Sequence, residues 1–363
     1  MVQPLLICFI CFITSLIITP VVRKIALKVN AIDAPNDRKV HEIIMPRLGG
    51  LAIFISFVIG VVLLYPHKHL IRPYDDYIAS IILGACIIVV IGVIDDLIEL
   101  SAKVKFIGQI VAALVVVLGG VRLNYITLPI SQEVIEFGML SIPLTIIWIV
   151  SITNAINLID GLDGLAGGVS SIALITMGAI SFTTPANDIF VFSMAAILVG
   201  STLGFLKYNF YPAKIFMGDT GALFLGFMIG VLSLLGFKNV TMTALVIPVI
   251  ILGVPISDTL FAIIRRVVNK QPISVPDKSH LHHCLLNLGY SHRQTVIIIY
   301  AMAAIFGLAA YVTSMATILG AVLICFLLIL AMEFFAKKIG LFGKNYRPLF
   351  RIIFEKFVTN SGK

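Results

Sequence analysis

Asn154-Ala-Ile-Asn157-Leu-Ile-Asp160-Gly161-Leu-Asp163-Gly164-Leu165 follows an apolar run, Ile142 to Ile152, that reads as half of a membrane helix. Two amides and two carboxylates arrive at intervals of three. On a helix that spacing keeps side chains on one broad face. Gly161 and Gly164 loosen the backbone and let it approach a ligand closely. A carboxylate left unpaired at a membrane helix end is costly. Capping needs one Asp or Asn, and this stretch has four in ten positions. A functional site explains it better than a polar cap with a Gly-rich turn.

The surrounding composition sets the class. Of 363 residues, 60% are hydrophobic and 12% charged, with a mean hydropathy of +1.09. Soluble domains are about a quarter charged. The chain is therefore expected to be an all-α polytopic membrane protein, forming one domain over residues 1–363. Eleven spans are expected near 3–22, 48–65, 77–94, 104–121, 139–157, 165–182, 189–206, 220–236, 243–263, 295–314 and 317–335. The first run lacks a basic n-region and a small-residue cleavage site, so it reads as a retained span. Cys8, Cys11, Cys86, Cys284 and Cys325 read as small apolar residues, neither a disulfide set nor a zinc site.

Basic residues orient the chain. With the amino terminus outside, only Lys68, Arg72, Arg122 and Lys238 of the 26 Lys and Arg fall on the outer side. The other 22 face inward, which puts the carboxyl terminus in the cytoplasm. The net charge of +8 then reflects topology and anionic lipid headgroups, and nucleic acid is not an expected partner. The same topology gathers five polar segments on the cytoplasmic face: Asp33 to Gly50, Asp95-Asp96 with Glu99, the Asn154–Asp163 stretch, Phe216-Met-Gly218-Asp219-Thr-Gly221, and His280-Leu-His282-His283. One shared site accounts for that segregation more simply than independent loop decoration.

Asp95 and Glu99, four apart, are expected to share a helical face. Adjacent carboxylates repel unless a cation or proton joins them. Asp95, Asp96, Asp160, Asp163 and Asp219, with Asn154 and Asn157, make an oxygen-rich set suited to Mg²⁺. Asp219 could instead serve only as a helix cap. That leaves unexplained the aromatic and basic loop before it, Lys207-Tyr-Asn-Phe-Tyr-Pro-Ala-Lys214. The His cluster could bind metal, act as acid or base, or hydrogen-bond phosphate. Asp258 could pair with Arg265 inside the bilayer. Carboxylates for Mg²⁺ beside Lys, Arg and His for anionic oxygens are the equipment of phosphoryl transfer. At a membrane face, one substrate should be a lipid phosphate and the other a soluble donor.

These motifs resemble the polyprenyl-phosphate N-acetylhexosamine-1-phosphate transferase superfamily, and within it the bacterial undecaprenyl-phosphate N-acetylglucosaminyl-1-phosphate transferases that begin wall teichoic acid and related glycan synthesis. The matching residues are Asp33-x-Pro-Asn-x-Arg38-Lys39-x-His41 through Pro46-Arg47-x-Gly49-Gly50, Asp95-Asp96, the Asn154–Gly164 stretch, Phe216-x-Gly218-Asp219 and His280-x-His282-His283. The resemblance implies transfer of N-acetylglucosamine-1-phosphate from UDP-N-acetylglucosamine to undecaprenyl phosphate, with Mg²⁺ or alternatively Mn²⁺. It places the metal on Asp219 and Asn157. It makes Asp95 a base on the lipid phosphate and Asp96 its orienter, and it gives Asp160 and Asp163 to metal or nucleotide. Substrate contacts would come from Lys39, His41, Arg47, Lys105, Asn154, His280, His282 and His283, with Lys105 on the donor diphosphate. The partners implied are the two substrates and the bilayer; monomer and homodimer are both left open. The muramoyl-pentapeptide branch typically carries Thr-Pro-Thr-Met-Gly-Gly where this chain has Met45-Pro46-Arg47-Leu48-Gly49-Gly50, and three consecutive His where Leu281 interrupts here. Both departures favour the N-acetylglucosamine branch.

Three rivals are weaker. An intramembrane aspartyl protease needs two facing aspartates and leaves the His loop, Lys39 and Lys105 unexplained. A CDP-alcohol phosphotransferase needs Ala-Arg after Asp-Gly-x-x, whereas Ala166 is followed by Gly167. A transporter would hold polar groups near the bilayer midplane.

Overall fold

A computed structural model describes residues 2–33, 44–67, 75–127, 133–184, 188–236, 242–268 and 280–339. Lys39 and His41 lie outside the described residues, as do Asp277 and Lys278 of the His loop. The described chain is a helical bundle with two short antiparallel ribbons. Its helices are α1 (Val2–Lys28), α2 (Gly49–Leu64), α3 (Asp75–Ile98), α4 (Ala102–Leu118), α5 (Ser141–Ile159), α6 (Leu165–Thr183) and α7 (Ile189–Asn209). They continue as α8 (Gly218–Gly236), α9 (Met242–Ile251), α10 (Gly253–Val268), α11 (Leu281–Asn287), α12 (His292–Met315) and α13 (Ile318–Lys338). The ribbons pair β1 (Ile32–Asp33) with β2 (Met45–Pro46), and β3 (Tyr125–Thr127) with β4 (Val134–Glu136).

Eight of the described helices are long and apolar enough to cross a membrane. The expected spans at 48–65 and 104–121 appear as the shorter α2 and α4, of 16 and 17 residues. The expected span at 243–263 is broken: α9 ends at Ile251 and α10 begins at Gly253. The cause is legible after the fact. Pro255 has no N–H, so the Ile251 carbonyl loses its partner four residues on.

The bundle is organised around α8, whose side chains are buried from Thr220 to Leu235. Membrane helices have no hydrophobic drive toward one another, so close packing over small residues takes its place. A Cβ on Gly50 would run into the Gly221 backbone, and one on Gly92 into Thr220. The first turn of α8 therefore lies directly against α2 and the last turns of α3. Deeper in the bundle, Phe224 meets Phe54 and Phe57 edge-on at 5.4 and 5.3 Å. Trp148 of α5 donates to the Ser233 hydroxyl at 2.9 Å, which keeps both polar atoms satisfied in an apolar setting.

Backbone pairing then locks the polar end. Leu48 takes a left-handed φ of 71° and turns the chain into α2. That turn lets Gly49 N and Gly50 N donate to the carbonyls of Phe216 and Met217 at 3.0 and 2.9 Å. Phe216 N donates back to Pro46 O at 2.8 Å. The strand β2 is in turn paired with β1, which sets Arg47 beside Asp33. The C-terminal ends of α3, α5 and α7 and the N-terminal ends of α2, α4, α6, α8 and α12 all meet at this one end of the bundle.

Candidate active site

Asp95 and Asp96 occupy the last turn of α3 and are buried, at 6% and 4% exposure. Asp96 reaches across to α8. Its Oδ1 accepts from Asp219 N at 3.0 Å, and its Oδ2 from Thr220 N at 3.1 Å and Thr220 Oγ1 at 2.6 Å. These amides belong to the first turn of a helix and have no partner within it. A carboxylate is also favoured there by the helix dipole. The cap of α8 thus comes from a neighbouring helix, and Asp219 does not provide it. Gly218 makes this possible: it has φ 70°, and a side chain on it would overlap the Asp96 carboxylate.

Relieved of capping, Asp219 faces two other groups. Its Oδ2 lies 2.8 Å from Lys105 Nζ, and its Oδ1 accepts from Asn157 Nδ2 at 3.1 Å. Lys105 also meets Asp95 Oδ2 at 3.2 Å. The other Asp95 oxygen accepts from Leu100 N at 2.7 Å and closes the end of α3. There the chain turns through Glu99 at φ 53°, so Glu99 leaves the helix and does not share a face with Asp95 as expected. It faces Arg47 at 3.7 Å instead, while Arg47 pairs with Asp33.

One oxygen from each of Asp95, Asp96 and Asp219 falls within 4.8 Å of the others. Carboxylate and amide oxygens without thiols suit a hard divalent cation and not zinc. Asp96 is engaged by α8 and Asp95 by Leu100 N and Lys105, so Asp219, the least buried of the three, is best placed to hold such an ion with Asn157 beside it. The Lys105 ammonium supplies positive charge between Asp95 and Asp219.

The Asn/Asp stretch does not keep a single face, because α5 ends at Ile159 and Asp160 is already its C-cap. Gly164, at φ 76°, then turns the chain into α6. Asn157 points to Asp219. Asn154 is turned aside: its amide nitrogen donates to Gln109 Oε1 at 2.6 Å and to its own helix at Val150 O. Asp163 accepts from Ala213 N at 2.9 Å and, through its own N–H, donates to His292 Nε2 at 3.0 Å. No hydrogen bond reaches the Asp160 carboxylate among the described residues. Burial, then the charges of Asp219, Asp96 and Asp163, push it up to about 8.

A cavity of about 400 Å³ opens between this turn and the start of α8. Asp160, Asp163, Asp219, Arg47, His282 and His283 are all on its wall. The His282 ring lies against Gly161, and burial with the neighbouring His283 holds it down at about 3, hence neutral at ordinary pH. His280 does not line the cavity. Its Nδ1 lies 2.8 Å from Asp258 Oδ2, and Leu281 N donates to Asp258 Oδ1 at 2.8 Å. Asp258 is therefore bonded to the His loop, in place of the ion pair with Arg265 expected from sequence. Sequence reasoning missed His292 and singled out neither Tyr211 nor Asn209, all of which line the cavity. Tyr211 and His292 stack with ring centroids 4.5 Å apart, and Asn209 accepts from Gly164 N at 3.1 Å. The aromatic loop before Asp219 was the signal for two of them; His292, the first residue of α12, had none.

The chain is similar to proteins of known family. The model of glycosyl transferase family 4 matches residues 78–237. A probable undecaprenyl-phosphate N-acetylglucosaminyl 1-phosphate transferase of Bacillus subtilis is 49% identical, over 93% of this chain and 92% of its own length. A decaprenyl-phosphate N-acetylglucosaminephosphotransferase of Mycolicibacterium smegmatis is 34% identical, over 80% and 77%. A phospho-N-acetylmuramoyl-pentapeptide-transferase of Halalkalibacterium halodurans is 29% identical, over 73% and 82%.

The capping geometry separates two carboxylates that look equivalent in sequence. Asp96→Asn places an amide N–H against the donors of Thr220 and should lower stability by about 1–3 kcal/mol. Asp219→Asn leaves the cap intact and gives up a partly exposed pair with Lys105, which keeps Asp95 as its partner, so its unfolding midpoint in detergent should fall less than that of Asp96→Asn. Thermal unfolding of both variants without divalent cations checks this; a destabilised Asp219→Asn beside an unaffected Asp96→Asn would reverse the assignment.

Proposed function

The chain belongs to glycosyl transferase family 4, the polyprenyl-phosphate N-acetylhexosamine-1-phosphate transferases, and from that premise we propose that it transfers N-acetylglucosamine-1-phosphate from UDP-N-acetylglucosamine to undecaprenyl phosphate, releasing UMP. The observation that carries this reading is Asp219, held between Lys105 and Asn157 beside Asp95 at the wall of a cavity that also presents Arg47, His282 and His283. The sugar is supported by the relatives: those at 49% and 34% identity are named for N-acetylglucosamine, and the one named for the muramoyl pentapeptide stands at 29%. Arg47 and Leu281, the two departures from the pentapeptide branch, support the same choice. A protease reading has no support among these relatives, and it leaves unexplained Lys105, which reaches both Asp95 and Asp219.

In this reading an oxygen of the lipid phosphate attacks the β-phosphorus of the donor. A new P–O bond forms, the bond from the β-phosphorus to the bridging oxygen breaks, and UMP leaves with the electron pair. The second ionisation of a phosphate monoester lies near pH 6, so the nucleophile is largely deprotonated at neutral pH. Asp95 accepts the remaining proton and orients the attacking phosphate. Lys105 and Arg47 draw in the anionic oxygens, and neutral His282 hydrogen-bonds without adding charge. Asp163 steadies the turn under the nucleotide through Ala213 N. Mg²⁺, or Mn²⁺ in its place, would be held by Asp219 and Asn157 and would supply charge neutralisation of the diphosphate.

The site faces the cytoplasm in this reading, where the donor is soluble and where 22 of 26 basic residues fall by the charge count. The lipid-linked product is the kind of anchor on which wall teichoic acid or a related envelope glycan is built. In a cysteine-free background, Cys at position 103 should react with a membrane-impermeant thiol reagent only from the cytoplasmic side and Cys at position 139 only from outside; the opposite pattern would invert the topology.

The reaction is tested with purified protein, undecaprenyl phosphate and a panel of UDP-sugars, reading UMP release. UDP-N-acetylglucosamine should support release that needs a divalent cation and falls about a hundredfold or more in Asp219→Asn. Turnover only with the muramoyl-pentapeptide donor, or turnover indifferent to chelator and to Asp219→Asn, would contradict the proposal.

A further inference from the structure

Asp258 takes no part in the chemistry described above. It lies on α10, one turn past Pro255, and is 2% exposed. A carboxylate in such a position is costly unless both its oxygens are satisfied. They are satisfied by two successive residues: His280 through Nδ1 at 2.8 Å and Leu281 through its backbone N–H at 2.8 Å. The next two residues are His282 and His283, both on the cavity wall. Leu281 and Leu285 are buried in the apolar core, and the His282 ring rests on Gly161 of the α5–α6 turn. Asp258 thus fastens the described part of the loop to α10 immediately before the residues it presents to the cavity.

We propose that Asp258 is a positioning residue: through His280 and Leu281 N it holds His282 and His283 against the α5–α6 turn, so that donor affinity depends on a carboxylate that does not touch the donor. The inference rests on the reading of the cavity as the donor site. The bond is a carboxylate clamp of two strong hydrogen bonds, and its loss frees the loop to swing away from Gly161. The acceptor lipid phosphate, oriented by Asp95 at the end of α3, does not depend on it.

The test compares Asp258→Ala, Asp258→Asn, His280→Ala and the Asp258→Ala/His280→Ala double variant in the full-length protein. Three quantities are read: calorimetric affinity for UDP-N-acetylglucosamine with Mg²⁺ and no lipid, KM for each substrate, and kcat. Asp258→Ala should weaken donor affinity and raise donor KM about tenfold, the effect of losing a hydrogen bond to a charged group. Its kcat should stay within about threefold and its KM for undecaprenyl phosphate should not move, because only donor placement is lost. Asp258→Asn keeps the acceptor for Leu281 N and should fall between. The double variant should bind no more weakly than the weaker single one, since both break the same tether. If Asp258→Ala does not fold, Asp258→Asn and His280→Ala carry the comparison. Variants that lose thermal stability but bind donor as the unsubstituted protein does would overturn the inference, as would equal rises in both KM values. Failure of the unsubstituted protein to bind the donor would overturn the reading of the cavity and the inference with it.

Discussion

Lys105 stands between two carboxylates that could not otherwise sit side by side, 2.8 Å from Asp219 and 3.2 Å from Asp95. Oxygens of the two carboxylates lie within 4.8 Å of each other, a separation at which like charges repel by several kcal/mol at the effective dielectric of a protein surface. The ammonium offsets that repulsion, and the rest of the polar end is arranged around it. Asp96 is kept out of the pair by its bonds to Asp219 N and Thr220, which use both of its oxygens. Asp95 has one oxygen on Leu100 N and the other on Lys105. Asn157 completes the ring around Asp219. The Asp96 contacts require α3 and α8 to approach almost backbone to backbone, which Gly92 and Gly218 permit.

The site therefore has a division of labour that composition alone does not show. One carboxylate builds the fold, two face the lysine, and Asp160 waits in the cavity with its proton held up to about 8. The surrounding wall sets carboxylates beside Arg47, which Asp33 restrains, His282, which burial keeps neutral, and Tyr211, which stacks on His292. The anchoring of Arg47 through β1–β2 and the Pro46–Phe216 bond ties that wall to the start of α8.

Much of this was legible in the sequence, for identifiable reasons. Apolar runs of membrane length mark spans, and carboxylates beside them are costly enough to signal function, so Asp95, Asp96, Asn157, Asp160, Asp163 and Asp219 could be assigned to one end of the bundle. Some of the misses are tertiary and others are local backbone effects. The spacing of three in Asn154–Asp163 suggested a continuous face, but the helix ends within it and Asn154 turns to Gln109. Glu99 was placed with Asp95 by helical periodicity, yet a left-handed residue ends the helix there. The run 243–263 read as one span because hydropathy is blind to the N–H that Pro255 lacks. The partner of Asp258 is 22 positions away, in a segment whose path no local pattern reveals. His292 joins the cavity only because α12 begins beside the α5–α6 turn.

The central claim is transfer of a sugar phosphate by direct attack of a lipid phosphate, in a site whose carboxylates are neutralised and oriented, not covalently modified. It is tested most directly with UDP-N-acetylglucosamine carrying radiolabel in the β-phosphate. Direct attack predicts no UMP and no protein-bound label until undecaprenyl phosphate is added, and then UMP and labelled lipid in equal amounts. A burst of about one UMP per site without lipid, with label retained on the protein, is the signature of an aspartyl-phosphate intermediate and would contradict it.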